Sequence, residues 1–184
     1  EVRKGGRTVE SIHQVAANTR DRLESLRRGV NPAIPTPWNR LNALTRGGIH
    51  KTELWAISSI VKQGKSAILK QWAQLLNGQQ RRVLIFSREM SSDQIMYRML
   101  SPITDIPVSH IRYGIDSNRI DRLVSATREL EKGILFFDTK SSSLPEVRAR
   151  CREMIRLEGI ELILIDYLQC FSSGKRSQGR ADEV

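Results

Sequence analysis

Three residues in the first half of the chain, Gly64-Lys65-Ser66, have the types and order that bind phosphate. The physics needs backbone N–H groups at a helix start to cradle the oxygens. A lysine neutralises the β/γ charge, and the next hydroxyl holds Mg2+. The full motif wants glycine five residues before Gly64, where this chain has Ser59, so the match is degenerate. A helix start with a chance lysine has the same three letters. Two carboxylates could share the work. Glu89, in Phe86-Ser87-Arg88-Glu89-Met90, sits just past an apolar run, where it could accept a proton from an attacking water. A solvated surface glutamate would read alike. Asp166 ends Leu162-Ile163-Leu164-Ile165 and could bind Mg2+ through water, opposite the Ser66 hydroxyl. A turn or capping aspartate is the plain alternative. Asp138, after Ile134–Phe137, competes by the same logic, and composition does not choose between the two.

The elements that must position these groups alternate. Buried strands are predicted at 53–58 (ELWAIS), 82–87 (RVLIFS), 134–138 (ILFFD) and 161–166 (ELILID). Between them lie helices at 65–77, with Ile68, Leu69, Trp72, Leu75 and Leu76 on one face, at 91–100 with Ser91 as N-cap, and at 118–132 and 144–158, ended by Gly133 and Gly159. Strands apolar throughout, separated by amphipathic helices, imply an α/β fold with a parallel sheet covered on both faces. Ligands then bind at the C-terminal strand ends, where the three acidic candidates fall.

Ahead of this core, residues 8–28 predict a helix whose apolar stripe is narrow: Val9, Ile12, Ala16, Thr19, Leu23 and Leu26. Gly29 is its natural stop. Such a stripe docks on its own domain or on another subunit. Pro32, Pro35 and Pro37 then impose a stiff extended linker, which places a boundary between 1–34 and 35–184. Trp38, Leu41 and Leu44 mark a short helix ending at Gly47-Gly48, and 172–178 reads as a mobile loop.

The chain has 184 residues, enough for a real core, and a net charge of +10. The whole excess falls in the first hundred residues. That balance suits a polyanionic partner, or simply a solvated basic surface. No run approaches the ~18 apolar residues of a membrane span, so no membrane partner is expected. Cys151 and Cys170 form no metal-binding or disulfide pattern, which suits a reducing cytoplasm and two small buried hydrophobes.

The motifs together resemble the motor domain of DnaB-type replicative helicases, of the hexameric RecA-like class. The resemblance runs from about residue 8 to the end. It is carried by Pro35-Thr36-Pro37-Trp38-Asn39-Arg40-Leu41-Asn42-Ala43-Leu44-Thr45-Arg46-Gly47-Gly48, by Gly64-Lys65-Ser66 as Walker A, by Phe86–Met90, and by Ile163-Leu164-Ile165-Asp166-Tyr167-Leu168-Gln169 as Walker B with its following YLQ. It implies a RecA-like P-loop NTPase core preceded by a linker helix, and an ATP-hydrolysing motor that unwinds duplex DNA at the replication fork. Its cofactors would be ATP and Mg2+. Nucleotide would be held by Ser59, Lys62, Gln63, Gly64, Lys65, Ser66 and Ala67. Lys65 would meet the β/γ-phosphates, Ser66 and Asp166 the Mg2+, Glu89 the water, and Gln169 would sense nucleotide state. Asp138 is then a structural residue. The helix at 8–28 would pack on the adjacent subunit of a homo-oligomeric ring, a hexamer in the family, around single-stranded DNA, with primase or a helicase loader as further partners. The implied location is the cytoplasm of a bacterium, or of the host of a phage or plasmid.

The chain departs from that pattern in its phosphate loop, where Val61-Lys62-Gln63 replaces the usual Pro and Met, and at Arg88, where the family has an aliphatic residue. The family's DNA-contacting loops and arginine finger lie beyond the Walker B strand, and an arginine finger is worth roughly 10³–10⁵ in rate. The 184-residue segment alone is therefore expected to hydrolyse ATP poorly. The competing expectation is a non-catalytic helicase-like scaffold or loading module that tolerates the altered loop. A recombinase-like or clock-type RecA relative is a third, disfavoured by the YLQ.

Overall fold

A computed structural model of the chain describes residues 11–29, 32–60, 63–114 and 116–173. They fall into two compact units, one ending at Trp55 and the other beginning at Ala56.

In the first unit, helix α1 spans Ile12–Arg27. Ser11 caps it reciprocally: its side chain accepts from the Gln14 N–H while the Gln14 side chain accepts from the Ser11 N–H. Gly29 takes the left-handed conformation just past the last turn, as a helix stop requires. None of the helix's residues is buried, and Ile12 on the narrow stripe is 75% exposed. Residues 8–10 of the expected helix lie outside the described residues. Further on, Ile34 and Ile49 form an antiparallel bridge with both backbone bonds made, at 2.8 and 3.0 Å. The bridge brings Gly48 against the Ile34 carbonyl, 2.0 Å from where a Cβ would stand, and Gly48 itself has φ +126°. No other residue fits there. Asn42, on the short helix α2 (Asn39–Leu44), accepts from the Thr36 N–H at 2.8 Å and donates to the Thr36 carbonyl at 2.8 Å, tying down the proline-rich segment.

The second unit is built on a three-stranded parallel sheet. Its strands are β1 (Val83–Ser87), β2 (Leu135–Asp138) and β3 (Leu162–Asp166), in the spatial order β2-β1-β3. Central β1 is buried along its whole length. Side chains alternate across a strand, so Leu84 and Phe86 face one layer, and Val83, Ile85 and Ser87 the other. The first layer is helix α7 (Leu144–Glu158) with Val147, Ile160 and Phe171; Phe171 meets Phe86 edge-on at 6.5 Å. The opposite layer holds α3 (Lys65–Gly78), α4 (Ser92–Thr104), α5 (Val108–Tyr113) and α6 (Ser117–Glu131). There Met90, Ile95 and Met99 form a core with Leu135 and Phe137. Full burial of each large apolar side chain contributes about 1.5–3 kcal/mol, which is what holds this sheet between helices. Ser91 caps α4 with a reciprocal Gln94 contact, and Gly159 ends α7 at φ +65°, both as the sequence predicts.

Two expectations are corrected. Residues 53–58 are not a strand. They make no ladder hydrogen bonds, Leu54 is 94% exposed, and Glu53 instead accepts from the His50 N–H at 2.9 Å and from the Trp55 ring N–H at 3.2 Å in a local turn. Apolar composition signals a strand only where the segment actually pairs. Among the described residues the outer edges of β2 and β3 stay open in the order β2-β1-β3, and 53–58 pairs with neither. The buried face of α3 is also turned from the one expected, to Lys70, Trp72, Ala73, Leu76 and Asn77, because α3 packs on α4 as well as on the sheet. Residues 174–178 of the expected loop lie outside the described residues. Cys151 and Cys170 are half-buried free thiols beside the α7 core.

Candidate functional site

The site lies at the C-terminal tips of β1 and β3, which end level: Ser87 pairs with Asp166. Asp166 is 5% exposed. The ordering also separates the two competing aspartates. Asp138 sits at the tip of β2, on the other side of β1, in register with Phe86. Its carboxylate is fully used there. It accepts from the Lys140 N–H at 2.9 Å, the Ser141 N–H at 2.8 Å and the Ser141 hydroxyl at 2.6 Å, with Arg150 at 3.6 Å. Burial pushes its pKa up, but the Ser141, Lys140 and Arg150 contacts outweigh that and hold it below the usual carboxylate value.

Helix α3 starts beside Asp166. Gly64, at φ +89°, is its left-handed N-cap, and no side chain caps the helix there. Its first-turn N–H groups and positive dipole end therefore suit an anion. The Ser66 hydroxyl donates to Asp166 Oδ1 at 3.0 Å, joining residues one hundred positions apart. Lys65 Nζ is turned back on its own loop, donating to the Ser59 carbonyl at 2.8 Å, the Ile60 carbonyl at 3.3 Å and the Ser59 hydroxyl at 3.4 Å. Gln63 and Ala67 are exposed beside it. Lys62 lies outside the described residues.

Past β1, buried Ser87 accepts the Met90 N–H at 3.3 Å, which closes the turn carrying exposed Glu89. Past β3, Tyr167 leads into a single 3₁₀ turn, Leu168–Cys170, with exposed Gln169 in it. The Tyr167 hydroxyl is pushed up, first by Cys170 and further by the charges of Glu89 and Asp166. These strand tips thus bring Ser66 and Asp166 together, with the Lys65 ammonium turned away onto its loop and Glu89 acting electrostatically on Tyr167.

Lys70 belongs to the same place, although no motif in the sequence marks it. It follows Ser66 by four residues, on the same face of α3 and one turn deeper, and it is 8% exposed. Burial lowers its pKa, as does the Arg98 charge, while Asp166 and Glu89 pull it back up. The available signal was a lysine on a helix face that returns to the core at Ala73 and Asn77.

No cluster of three or more His, Cys, Asp or Glu occurs among the described residues. The donor set at the tips is one hydroxyl and one carboxylate, both hard oxygens. That suits a small hard cation that keeps waters and takes its remaining oxygens from phosphate, rather than an all-protein metal cage.

A parallel sheet between helix layers, with a glycine-led helix start facing an acidic strand tip, is the architecture of a RecA-like α/β core. Comparison narrows this: the DnaB-like helicase C-terminal domain family matches residues 33–184, and the chain belongs to that family. It is 32% identical over 188 residues to the replicative DNA helicase DnaC of Bacillus subtilis (strain 168), covering 99% of this chain and 41% of that protein. It is 31% identical over 159 residues to the replicative DNA helicase DnaB of Leifsonia xyli subsp. xyli (strain CTCB07), covering 85% of this chain and 35% of that one. The chain thus spans about two-fifths or less of these relatives. In fold it is similar to the solved ATPase domain of another protein, with TM-score 0.74 and 20% identity over 94% of this chain and 62% of that one. It is also similar to a DnaB-like replicative helicase solved for its interactions with primase, with TM-score 0.75 and 20% identity over 92% of this chain and 42% of the other. Nucleotide binding is the property this domain class implies. No helix among the described residues is long and apolar enough to cross a membrane.

Proposed function

We propose that this chain is the nucleotide-hydrolysing part of a replicative DNA helicase motor that uses Mg·ATP to unwind duplex DNA. Residues 1–34 serve as linker and 35–184 as part of the ATPase domain. The observation that carries the reading is the 3.0 Å contact between Ser66 Oγ and Asp166 Oδ1, at the start of a helix capped by a left-handed glycine. When bound, Mg2+ would supply charge neutralisation on the transferred phosphate. Ser66 and Asp166 would hold it. Lys65 leaves its three loop contacts to meet the β/γ-phosphates, aided by the α3 N–H groups. Glu89, on the turn closed by Ser87, orients the attacking water and takes its proton. Gln169, just past Asp166, reports the state of the nucleotide to the following segment. The family membership and the relatives' names support the helicase reading. The narrow exposed stripe of α1 supports packing against a neighbouring copy in a ring, around single-stranded DNA. Primase is a candidate partner, since it is the one named for a structural neighbour. Lys65→Ala in the full-length protein is expected to abolish unwinding; undiminished unwinding would move the phosphate site elsewhere.

One observation favours a second reading, a non-catalytic scaffold or loading module. Lys65 is occupied by Ser59 and Ile60, so the loop must open before phosphate enters. Titration of the protein with Mg·ATP separates the two, since a scaffold shows no binding at millimolar nucleotide.

A further inference from the structure

Lys70 has no part in the mechanism above, yet its environment is costly. A buried ammonium is unfavourable unless paired and hydrogen-bonded. Among the described residues, the hydrogen-bond partner of Lys70 Nζ is the thioether sulfur of Met90 at 3.9 Å, a weak acceptor. Lys70 and Asp166 line one small cavity of about 10 Å3, the size of a single water, whose other walls include Leu69, Ile85 and Leu164. Asp166 is equally buried, and the hydroxyl of Ser66 is the donor it receives. Lys65 is held by the loop carbonyls. Arg98 is the other cation near enough to act on Lys70, and Glu89 the other acid. Among the described residues Asp166 receives a neutral hydroxyl and Lys70 meets a thioether, so two buried groups of opposite charge, neither in an ion pair, share one small apolar-walled space.

We infer that Lys70 is the resident counter-cation of Asp166, and that its charge sets how much Mg2+ the nucleotide site requires. This rests on the Mg·ATP reading of the site. A fixed positive charge across the cavity stabilises the bare carboxylate. The same charge repels a divalent cation approaching that carboxylate from the open side, and in an apolar-walled space little water screens it. The site therefore tolerates the metal-free state and takes Mg2+ with lowered affinity. Lys70 acts here through Asp166, as a positioning residue.

The test compares full-length wild type with Lys70→Met and Lys70→Gln, which remove the charge, and Lys70→Arg, which keeps it. Two quantities are measured: the Mg2+ concentration for half-maximal binding of a fluorescent ATP analogue, and the melting-temperature shift produced by Mg2+ alone. The neutral variants should need roughly three- to tenfold less Mg2+ and show the larger Mg2+-induced shift, while Lys70→Arg stays within about twofold of wild type. A folded neutral variant with the wild-type midpoint overturns the inference. So does failure of both neutral variants to fold at any Mg2+ concentration, which makes Lys70 a purely structural residue. If wild type shows no Mg2+-dependent nucleotide binding, the reading of the site fails; the Mg2+-only melting shift then still decides whether Lys70 opposes a cation at Asp166.

Discussion

Replacing Ser66 by alanine removes one oxygen that has a structural role in the fold and a second role in the proposed mechanism. The first is structural. Ser66 Oγ donates to a carboxylate at 3.0 Å, and that carboxylate is nearly inaccessible to water. A hydrogen bond to a charged acceptor contributes about 1.5–3 kcal/mol, and a buried acceptor left unmatched costs a similar amount. Alanine returns up to about 0.5 kcal/mol of helix propensity. The net loss is about 1–2.5 kcal/mol, or roughly 2–10 °C in melting temperature for a chain of this size. The second role belongs to the proposed Mg2+ site, which would lose one of its two hard-oxygen donors with the hydroxyl. The Mg2+-dependent part of nucleotide affinity should fall at least about tenfold, an effect of ~1.4 kcal/mol. Isothermal titration with Mg·ADP and with ADP in chelator separates the two roles. The variant should match wild type in chelator and differ in Mg2+, and Ser66→Thr, which restores the hydroxyl, should recover both stability and Mg2+ dependence. A Ser66→Ala protein with the wild-type Mg2+ response would refute the assignment, whatever its melting temperature.

Glu89→Gln should leave nucleotide affinity unchanged in the same titration while slowing steady-state hydrolysis by about 10²–10⁴. Asp138 should affect stability and not nucleotide binding. Its folded pKa is depressed, so its contribution, about 2 kcal/mol, is present above the ordinary carboxylate pKa and is lost as pH falls through the folded value. Denaturant melts of Asp138→Asn should therefore show its full deficit near pH 7 and none in strong acid. Gly48→Ala should destabilise its unit by at least about 2 kcal/mol, since the new Cβ falls 2.0 Å from the Ile34 carbonyl oxygen; chemical denaturation monitored at Trp38 and Trp55 would register it.

Local features of the fold were readable because their causes are local. Ser91, Gly159 and the apolar runs of β1, β2 and β3 act within a few residues, and their signals are composition and spacing. The run at 53–58 has the same composition and is not a strand, because a strand exists only by pairing with a neighbour, and composition does not say whether that neighbour is found. The choice between Asp138 and Asp166 was likewise beyond composition. Both end apolar runs, and only the order β2-β1-β3 puts one against α3 and the other at the far edge. The burial of Lys70 is hidden from the sequence for a related reason. Helical periodicity foresees a lysine turned to solvent, whereas packing of α3 against both α4 and the sheet turns this one inward. The closure of Lys65 onto Ser59 and Ile60 is a loop conformation that motif spacing does not encode.

The central claim is that Gly64, Lys65, Ser66 and Asp166 form a Mg2+-dependent nucleotide site. It is tested most directly by ATP binding to the full-length protein, with and without Mg2+, in wild type and Lys65→Ala. The account predicts saturable binding that Mg2+ strengthens, weakened at least about tenfold by the loss of the Lys65 charge beside the phosphates. Wild-type protein that binds no ATP at millimolar concentration, or a Lys65→Ala variant that binds it as tightly as wild type, would contradict it.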